Sequence, residues 1–384
     1  MDREVRTFRP AWAEVDLDAI RHNVRALAAV AAPAQLLAVV KADAYGHGAV
    51  PVARAALEAG ATWLGVALVE EGVELRDAGI QARVLLLSEP PAAAAATVVE
   101  RAITPMVYTA DGVEALAKAV AESSKPSRAD ALAVHLKVDT GMHRVGCSPD
   151  DALSIIEAID ARPELRLEGI CTHLAVADEP ENTYNTEQLD RFDALLAELP
   201  DRDPPLIVHA ANSAGVLAHP RAHHHLVRCG IAIYGIVPSP ELGDHLPDEV
   251  ELRPALSLKA QVSHTKPLSA GASVSYGRHY RLPADAHTVT IPVGYADGVP
   301  RSLGLVGGEV LIGGARRPIA GAVTMDQLVV DIGDDTFPAG EEVTLIGRQG
   351  DDEITAAEWA DRLGVIPYEV TTRLGPRLPR VYVP

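Results

Sequence analysis

Lys41 ends an apolar run, LLAVVK, and stands in VVKADAYGHG (39–48) with Gly, Tyr and His just downstream. Burial penalises an ammonium, lowers its pKa and leaves a nucleophilic amine suited to a Schiff base. The plain alternative is a surface lysine whose stem lies along apolar neighbours. Two later runs carry a second set of groups: His209 followed by AANSAG, in which Asn212 or Ser213 can cap a helix, and Arg228-Cys229-Gly230-Ile231. Ser213 at a helix start and Gly230 without a side chain would together turn backbone N–H groups toward an anion. Taken singly, Ser213 reads as a helix cap and Gly230 as a tight turn. A reactive amine and a phosphate cradle at one rim point to pyridoxal 5′-phosphate, an aldehyde with a phosphate tail.

Other residues could serve the same rim. KVDTGMHRVG (137–146) makes a loop between Gly141 and Gly146 that presents Arg144, and a guanidinium there suits a carboxylate. His173, in THLAV, could stack on a planar ring or be an ordinary core histidine. His223, His224 and His225 invite a metal reading, but adjacent histidines diverge and no cysteine or carboxylate lies near in sequence, so no metal is expected.

These residues fall at the ends of regular elements. Eight apolar runs (36–40, 63–67, 83–87, 105–108, 132–138, 167–171, 206–210 and 228–234) alternate with helix-period segments over the first 235 residues. Runs without in/out alternation suit strands buried on both faces. In the opening helix Ile20, Val24, Leu27 and Ala31 share a face with Asp18 as N-cap; a later stripe is Leu189, Phe192, Leu196 and Leu199. Eight strand–helix units predict a (β/α)8 TIM-type barrel, in which reacting groups sit where strands end. The competing reading is an open doubly wound sheet, disfavoured by the count and by the lack of GxGxxG after the first run. A Pro- and acid-rich stretch, 236–252, reads as a linker, and beyond it short β-like runs dominate, with one clear helix at 354–364. The expected domains are 1–245, the barrel, with its first twelve or so residues on the β domain, and 246–384, mostly β.

The 384 residues carry 34 Lys+Arg against 53 Asp+Glu, a net charge of −19 that disfavours nucleic acid and anionic membrane partners. Any basic cluster must be local. Three distant cysteines, Cys147, Cys171 and Cys229, suit a reducing compartment, and the charged N-terminus shows no signal peptide, so a cytoplasmic protein is expected.

VVKADAYGHG, KVDTGM-x-R-x-G, THLAVADE, HAANSAG, RCGIAIYG, VSYGRHY, IPVGYADG and GAVTMDQ resemble, in order, the motifs of the alanine racemase family, and the match extends from AWAEVDLDAIRHN to YEV and PRLPRVY. The resemblance implies a fold-type III pyridoxal phosphate enzyme that interconverts L- and D-alanine and supplies D-alanine for peptidoglycan. By that resemblance Lys41 holds the cofactor as an imine, and Tyr45, Ser213, Gly230, Ile231 and Tyr368 bind its phosphate. His173 packs on the ring, and Arg228, steadied by His209, meets the ring nitrogen. Arg144 and the Met325 N–H hold the substrate carboxylate; Lys137 matches a position often carbamylated, a buried Lys137–Asp139 arrangement being the alternative. Tyr295, Arg301 and Asp178 match the entryway. The pattern departs at His143, where many members carry glycine; a local loop change is expected there.

Tyr276 carries the further implication of a homodimer, because in the family this tyrosine reaches the partner subunit's site. Without the other motifs it would read as a core tyrosine of the β domain. The implied mechanism uses two bases: Lys41 for the α-hydrogen of the D-isomer and the partner's Tyr276 for that of the L-isomer. The rivals are a broader-specificity racemase, an amino-acid decarboxylase of the same architecture, and a non-catalytic cofactor carrier.

Overall fold

The computed structural model describes residues 8–123, 131–247 and 250–384. The first seven residues, which belong both to the stretch read for the absence of a leader and to those expected on the β domain, and two of the expected linker lie outside them. Among the described residues two compact units separate: residues 8–18, Tyr45–Gly48 and Pro254–Pro384 in one, Ala19–Ala44 and Ala49–Arg253 in the other.

The chain begins with β1 (Ala11–Asp16) and α1 (Leu17–Ala31). The second unit is then built on β2 (Gln35–Val39), β3 (Trp63–Val66), β4 (Arg83–Leu86), β5 (Thr104–Val107), β6 (Leu132–Lys137), β7 (Leu165–Cys171), β8 (Ile207–His209) and β9 (Leu226–Cys229). They run in the order β8-β7-β6-β5-β4-β3-β2-β9, each parallel to its neighbours. His225 N–H to Val208 O and Arg228 N–H to Ala211 O, both 3.0 Å, join the outer strands, so the eight strands nearly close a barrel. Most strand residues are buried whichever way they point, as the unalternating runs require. Around them lie α2 (Lys41–Gly46), α3 (Ala49–Glu58), α4 (Val69–Asp77), α5 (Ala95–Glu100), α6 (Ala110–Glu122), α7 (Pro149–Asp160), α8 (Tyr184–Glu198), α9 (Ser213–Ala218) and α10 (Pro240–Gly243).

The other unit places β1 in a sheet with β10 (Leu256–Gln261), antiparallel, and β20 (Arg380–Val383), parallel. β15 (Glu309–Ile312), β16 (Ala315–Pro318), β18 (Glu342–Gln349) and β19 (Asp352–Ile354) complete that sheet. β11 (His264–Leu268), β14 (Ala286–Ile291) and β17 (Leu328–Gly333) form a second sheet; β12 (Ser273–Val274) and β13 (Tyr280–Arg281) pair as a small third. Two helices follow, α11 (Ala356–Leu363) and α12 (Pro367–Thr372).

One detail adds to the sequence reading and three differ from it. Ala11–Asp16 is a strand, and its alternating burial fits a sheet with one face covered. Asp18 is the second residue of α1 and not its cap. The buried stripe of α8 is Asn185, Gln188, Leu189, Phe192 and Leu195; Leu196 is half-buried and Leu199 lies past the helix end. RCGIAIY leaves the strand after Cys229, because Gly230 (φ −104°, ψ −104°) breaks the extended run and Ile231–Tyr234 winds into a 3₁₀ turn. No helix of the described residues is long and apolar enough to cross a membrane.

Candidate active site

β2 leads through Val40 into Lys41, and the next four residues share an unusual backbone. Ala42, Asp43, Ala44 and Tyr45 all have φ of 52–53°, so α2 is a left-handed turn. Each non-glycine residue in that region costs about 1–2 kcal/mol, and such strain persists only where neighbours hold it. Glu71 on α4 is one holder: its Oε1 accepts the Ala42 N–H at 2.6 Å, while Oε2 accepts those of Ala67 and Leu68 at 2.8 and 3.0 Å. Asp43 Oδ1 accepts the Ala49 N–H at 2.8 Å. The turn ends at Gly46, φ +85°, where a Cβ would lie 2.3 Å from Thr371 O. Only glycine fits there.

The Lys41 amine is held below the ordinary lysine range by burial first and by the Arg144 guanidinium second, with Glu71 pulling the other way. Arg144 rides a loop folded around Asp139, whose Oδ1 accepts the Gly141 and His143 N–H groups at 2.9 and 3.0 Å. His143 has a left-handed φ of 53°, the region glycine adopts freely and histidine more readily than most residues. Lys137, 7% exposed, is also held low, by burial and by Arg228 and Arg144, against Cys171 and Asp139. Four cationic side chains thus act on one rim of a strongly acidic protein.

Arg228 is buried at the end of β9. Its Nη1 lies 2.9 Å from His209 Nδ1, and Nη2 meets Thr172 O and Ala210 O at 2.9 Å and His173 Nδ1 at 3.1 Å. Burial and the neighbouring cations push both imidazoles well below the usual histidine range, so both are neutral. Gln188 supports His173 from α8, donating to its carbonyl at 3.1 Å while its Oε1 accepts the Ala175 N–H at 2.7 Å.

Asn212 caps α9 by accepting the Gly215 N–H. Ser213 is thereby released for other work. Its Oγ accepts the N–H of Gly230 at 2.8 Å and of Ala232 at 3.3 Å, so the residues read as an anion cradle converge. Tyr234, closing the turn that starts at Ile231, donates to Val39 O at 2.8 Å and ties this corner to the strand that ends before Lys41. The three adjacent histidines diverge: His223 meets Val216 O, His225 Nδ1 accepts the Val208 N–H, and His224 sets its edge on Phe192.

In the β unit, Tyr45 and Tyr368 approach with ring centroids 6.1 Å apart. Tyr276 is 71% exposed, which is not how a core tyrosine sits. Ser275 before it donates to Ala322 O, joining its segment to the one that carries Met325, also exposed. Tyr295 and Ala296 donate to Thr324 O and Met325 O. Buried Asp297 anchors this turn by accepting the Gly294 N–H at 2.9 Å and pairing with Arg9 and Arg377. Arg301 and Asp178 are exposed. Glu71 and Gln188 escaped the sequence reading, since a Glu in a helix's first turn and a Gln on its buried stripe name no partner.

A family model described as the alanine racemase N-terminal domain matches residues 15–238, and its C-terminal counterpart matches 255–382. An alanine racemase of Symbiobacterium thermophilum is 47% identical over 98% of this chain and 97% of its own. The crystal structure of an alanine racemase from E. faecalis superposes with a TM-score of 0.91 at 38% identity, over 99% of this chain and 100% of that one. A histidine racemase from Leuconostoc mesenteroides is 32% identical with a TM-score of 0.89, covering 98% and 99%.

Proposed function

The chain belongs to the alanine racemase family, and from that premise we propose that it interconverts L- and D-alanine with pyridoxal 5′-phosphate held at the barrel rim. The observation that carries this reading is the pairing of a desolvated Lys41 amine with a buried Arg228 that contacts carbonyls and imidazoles and no carboxylate. The donor set of the barrel unit fits the group: an amine for its aldehyde, the Ser213–Gly230–Ile231 corner for its phosphate, His173 beside its ring, and Arg228, steadied by His209, for its ring nitrogen; Tyr45 and Tyr368 join the phosphate donors by the family resemblance. Bound there, the cofactor supplies an electron sink that acidifies the α-hydrogen of the amino acid.

The chain's own residues do the rest. Arg144 and the Met325 N–H hold the substrate carboxylate. Lys41 moves the α-proton of the D-isomer, and Tyr276 of a partner subunit moves that of the L-isomer from the opposite face. A phenol with an ordinary pKa of about 10 needs a cation beside it to act as a base, and Arg144 and Arg228 are the cations this rim offers. Arg228, always charged, does not readily give the ring nitrogen a proton, which restrains the electron sink and with it transamination. Lys137, buried and held below the ordinary lysine range, gives up its proton more readily than a free lysine, as a carbamate requires, and a carbamate would set an anion beside Arg144. The working form is a homodimer with two shared sites, its compartment the cytoplasm, where Cys147, Cys171 and Cys229 stay unpaired. D-alanine for peptidoglycan is its product.

Borohydride reduction of the protein loaded with cofactor, followed by peptide mapping, tests the assignment; a pyridoxyl group on any lysine but Lys41 would overturn it. The histidine racemase among the structural neighbours favours a second reading, a racemase for another or a wider set of amino acids. Turnover of L-alanine against L-histidine and L-serine decides between them.

A further inference from the structure

A buried cation ordinarily keeps a carboxylate close by, and Arg228 has none among its hydrogen-bond partners. Its contacts lead to one indirectly. A guanidinium only donates, so His209 Nδ1, 2.9 Å from Nη1, must present a lone pair. The His209 proton then sits on Nε2, which lies 2.8 Å from His135 Nδ1. That nitrogen must accept, so His135 carries its own proton on Nε2, 3.4 Å from Glu168 Oε2. One donor dictates every role in the chain.

We propose that Glu168 and His135 are positioning residues for Arg228: through two imidazoles held in the Nε2–H form, the carboxylate keeps the His209 Nδ1 lone pair aimed at the guanidinium and so fixes which N–H groups Arg228 turns to its ligand. The role of that ligand rests on the reading of Arg228 as the partner of the ring nitrogen. Three observations support the relay. Burial raises the Glu168 pKa, but hydrogen bonds from His135, Arg83 and Arg166 outweigh it and bring it down to about 2, so the acceptor is always ionised. Burial pushes His135 down, as it does His209, so neither imidazole carries a second proton. Gly169, beside Glu168, clears space for the ring: a Cβ there would lie 2.6 Å from both His135 Nδ1 and Cε1. Trp63 meets the His135 ring edge-on at 5.5 Å, and Arg83 covers Trp63 at 3.7 Å.

The histidine tautomers are read by ¹⁵N NMR on protein with labelled histidines, both cofactor-free and loaded, with His209 assigned by its loss in His209→Gln. In the wild-type protein His209 is expected with a protonated Nε2 and a bare Nδ1. Glu168→Leu should turn that single form into a mixture, displace the visible absorption band of the bound cofactor, and lower kcat about ten-fold. Glu168→Gln still offers an amide oxygen to His135; it should keep the wild-type tautomer although its weakened arginine pairing lowers the melting temperature. A Glu168 that merely braces Arg83 and Arg166 would lower the melting temperature in both variants and move the tautomer in neither. The proposal is overturned by a proton on Nδ1 of His209 in the wild-type protein, which needs no variant to fold. It is equally overturned by a tautomer unmoved in Glu168→Leu, or moved as far in Glu168→Gln. The cofactor-free measurement stands apart from the reading of Arg228, which fails separately if Arg228→Lys leaves the absorption band in place.

Discussion

A lysine amine becomes a base only where something discourages its proton, and Lys41 has two such causes, burial and Arg144. With a pKa lower in the folded chain than unfolded, Lys41 binds fewer protons folded than unfolded between those values. Its contribution to stability therefore rises as pH climbs from the folded pKa toward the unfolded value near 10.5. Arg144→Gln removes one cause. The midpoint of Lys41 labelling by an amine-directed reagent in cofactor-free protein should move up in pH, and the alkaline gain in stability should shrink; an unmoved midpoint would refute the coupling. Arg228 makes a second case at this scale. On the proposed reading, Arg228→Glu would replace a group that withholds a proton from the ring nitrogen with one that favours the protonated ring, so transamination per racemisation should increase, and an unchanged ratio would refute that reading. Lys41, Arg144 and Arg228 stood out in the sequence because Lys41 ends a strand-like run, Arg144 follows one in a glycine-bounded loop, and Arg228 opens another. Glu168 and His135 were not: inside a strand, each looks like an isolated polar residue until β6, β7 and β8 lie side by side.

At the level of elements, the left-handed turn Lys41–Gly46 is the costliest piece of backbone in the site, and Glu71 is its most direct tether. Glu71→Ala removes an acceptor shared by three backbone N–H groups. It should cost roughly 1.5–3 kcal/mol in stability and slow the capture of pyridoxal phosphate by Lys41. Glu71→Gln keeps a single acceptor oxygen, which can complete the helix cap or hold the Ala42 N–H but not both, so it should recover only part of the stability and of the rate. Calorimetry and the rate at which the visible cofactor band appears provide the check; equal behaviour of the two variants would contradict the tether. The turn could not be read from KADAYG, since nothing in that composition demands a left-handed helix and only its terminal glycine hints at positive φ. RCGIAIY misled for a related reason, an apolar run being compatible with a strand or a buried 3₁₀ turn until Gly230 decides it. The eight barrel strands were legible, because strands buried on both faces leave continuous apolar runs.

For the whole molecule, the sequence motifs and the family agree on the two-part architecture, while the proposed dimer rests on Tyr276, which is exposed in the single chain. If the site is shared, neither Lys41→Ala nor Tyr276→Phe protein retains a working pair of bases, yet a dimer of one with the other regains one complete site out of two. Half of the dimers formed by random exchange between equal amounts are such hybrids, so racemisation should recover to about a quarter of the wild-type rate. Mixing the two variants, after exchange of subunits is verified, is the most direct test of the central claim. Recovery near that level is expected; a mixture whose hybrids form but stay as inactive as the separate variants would contradict it.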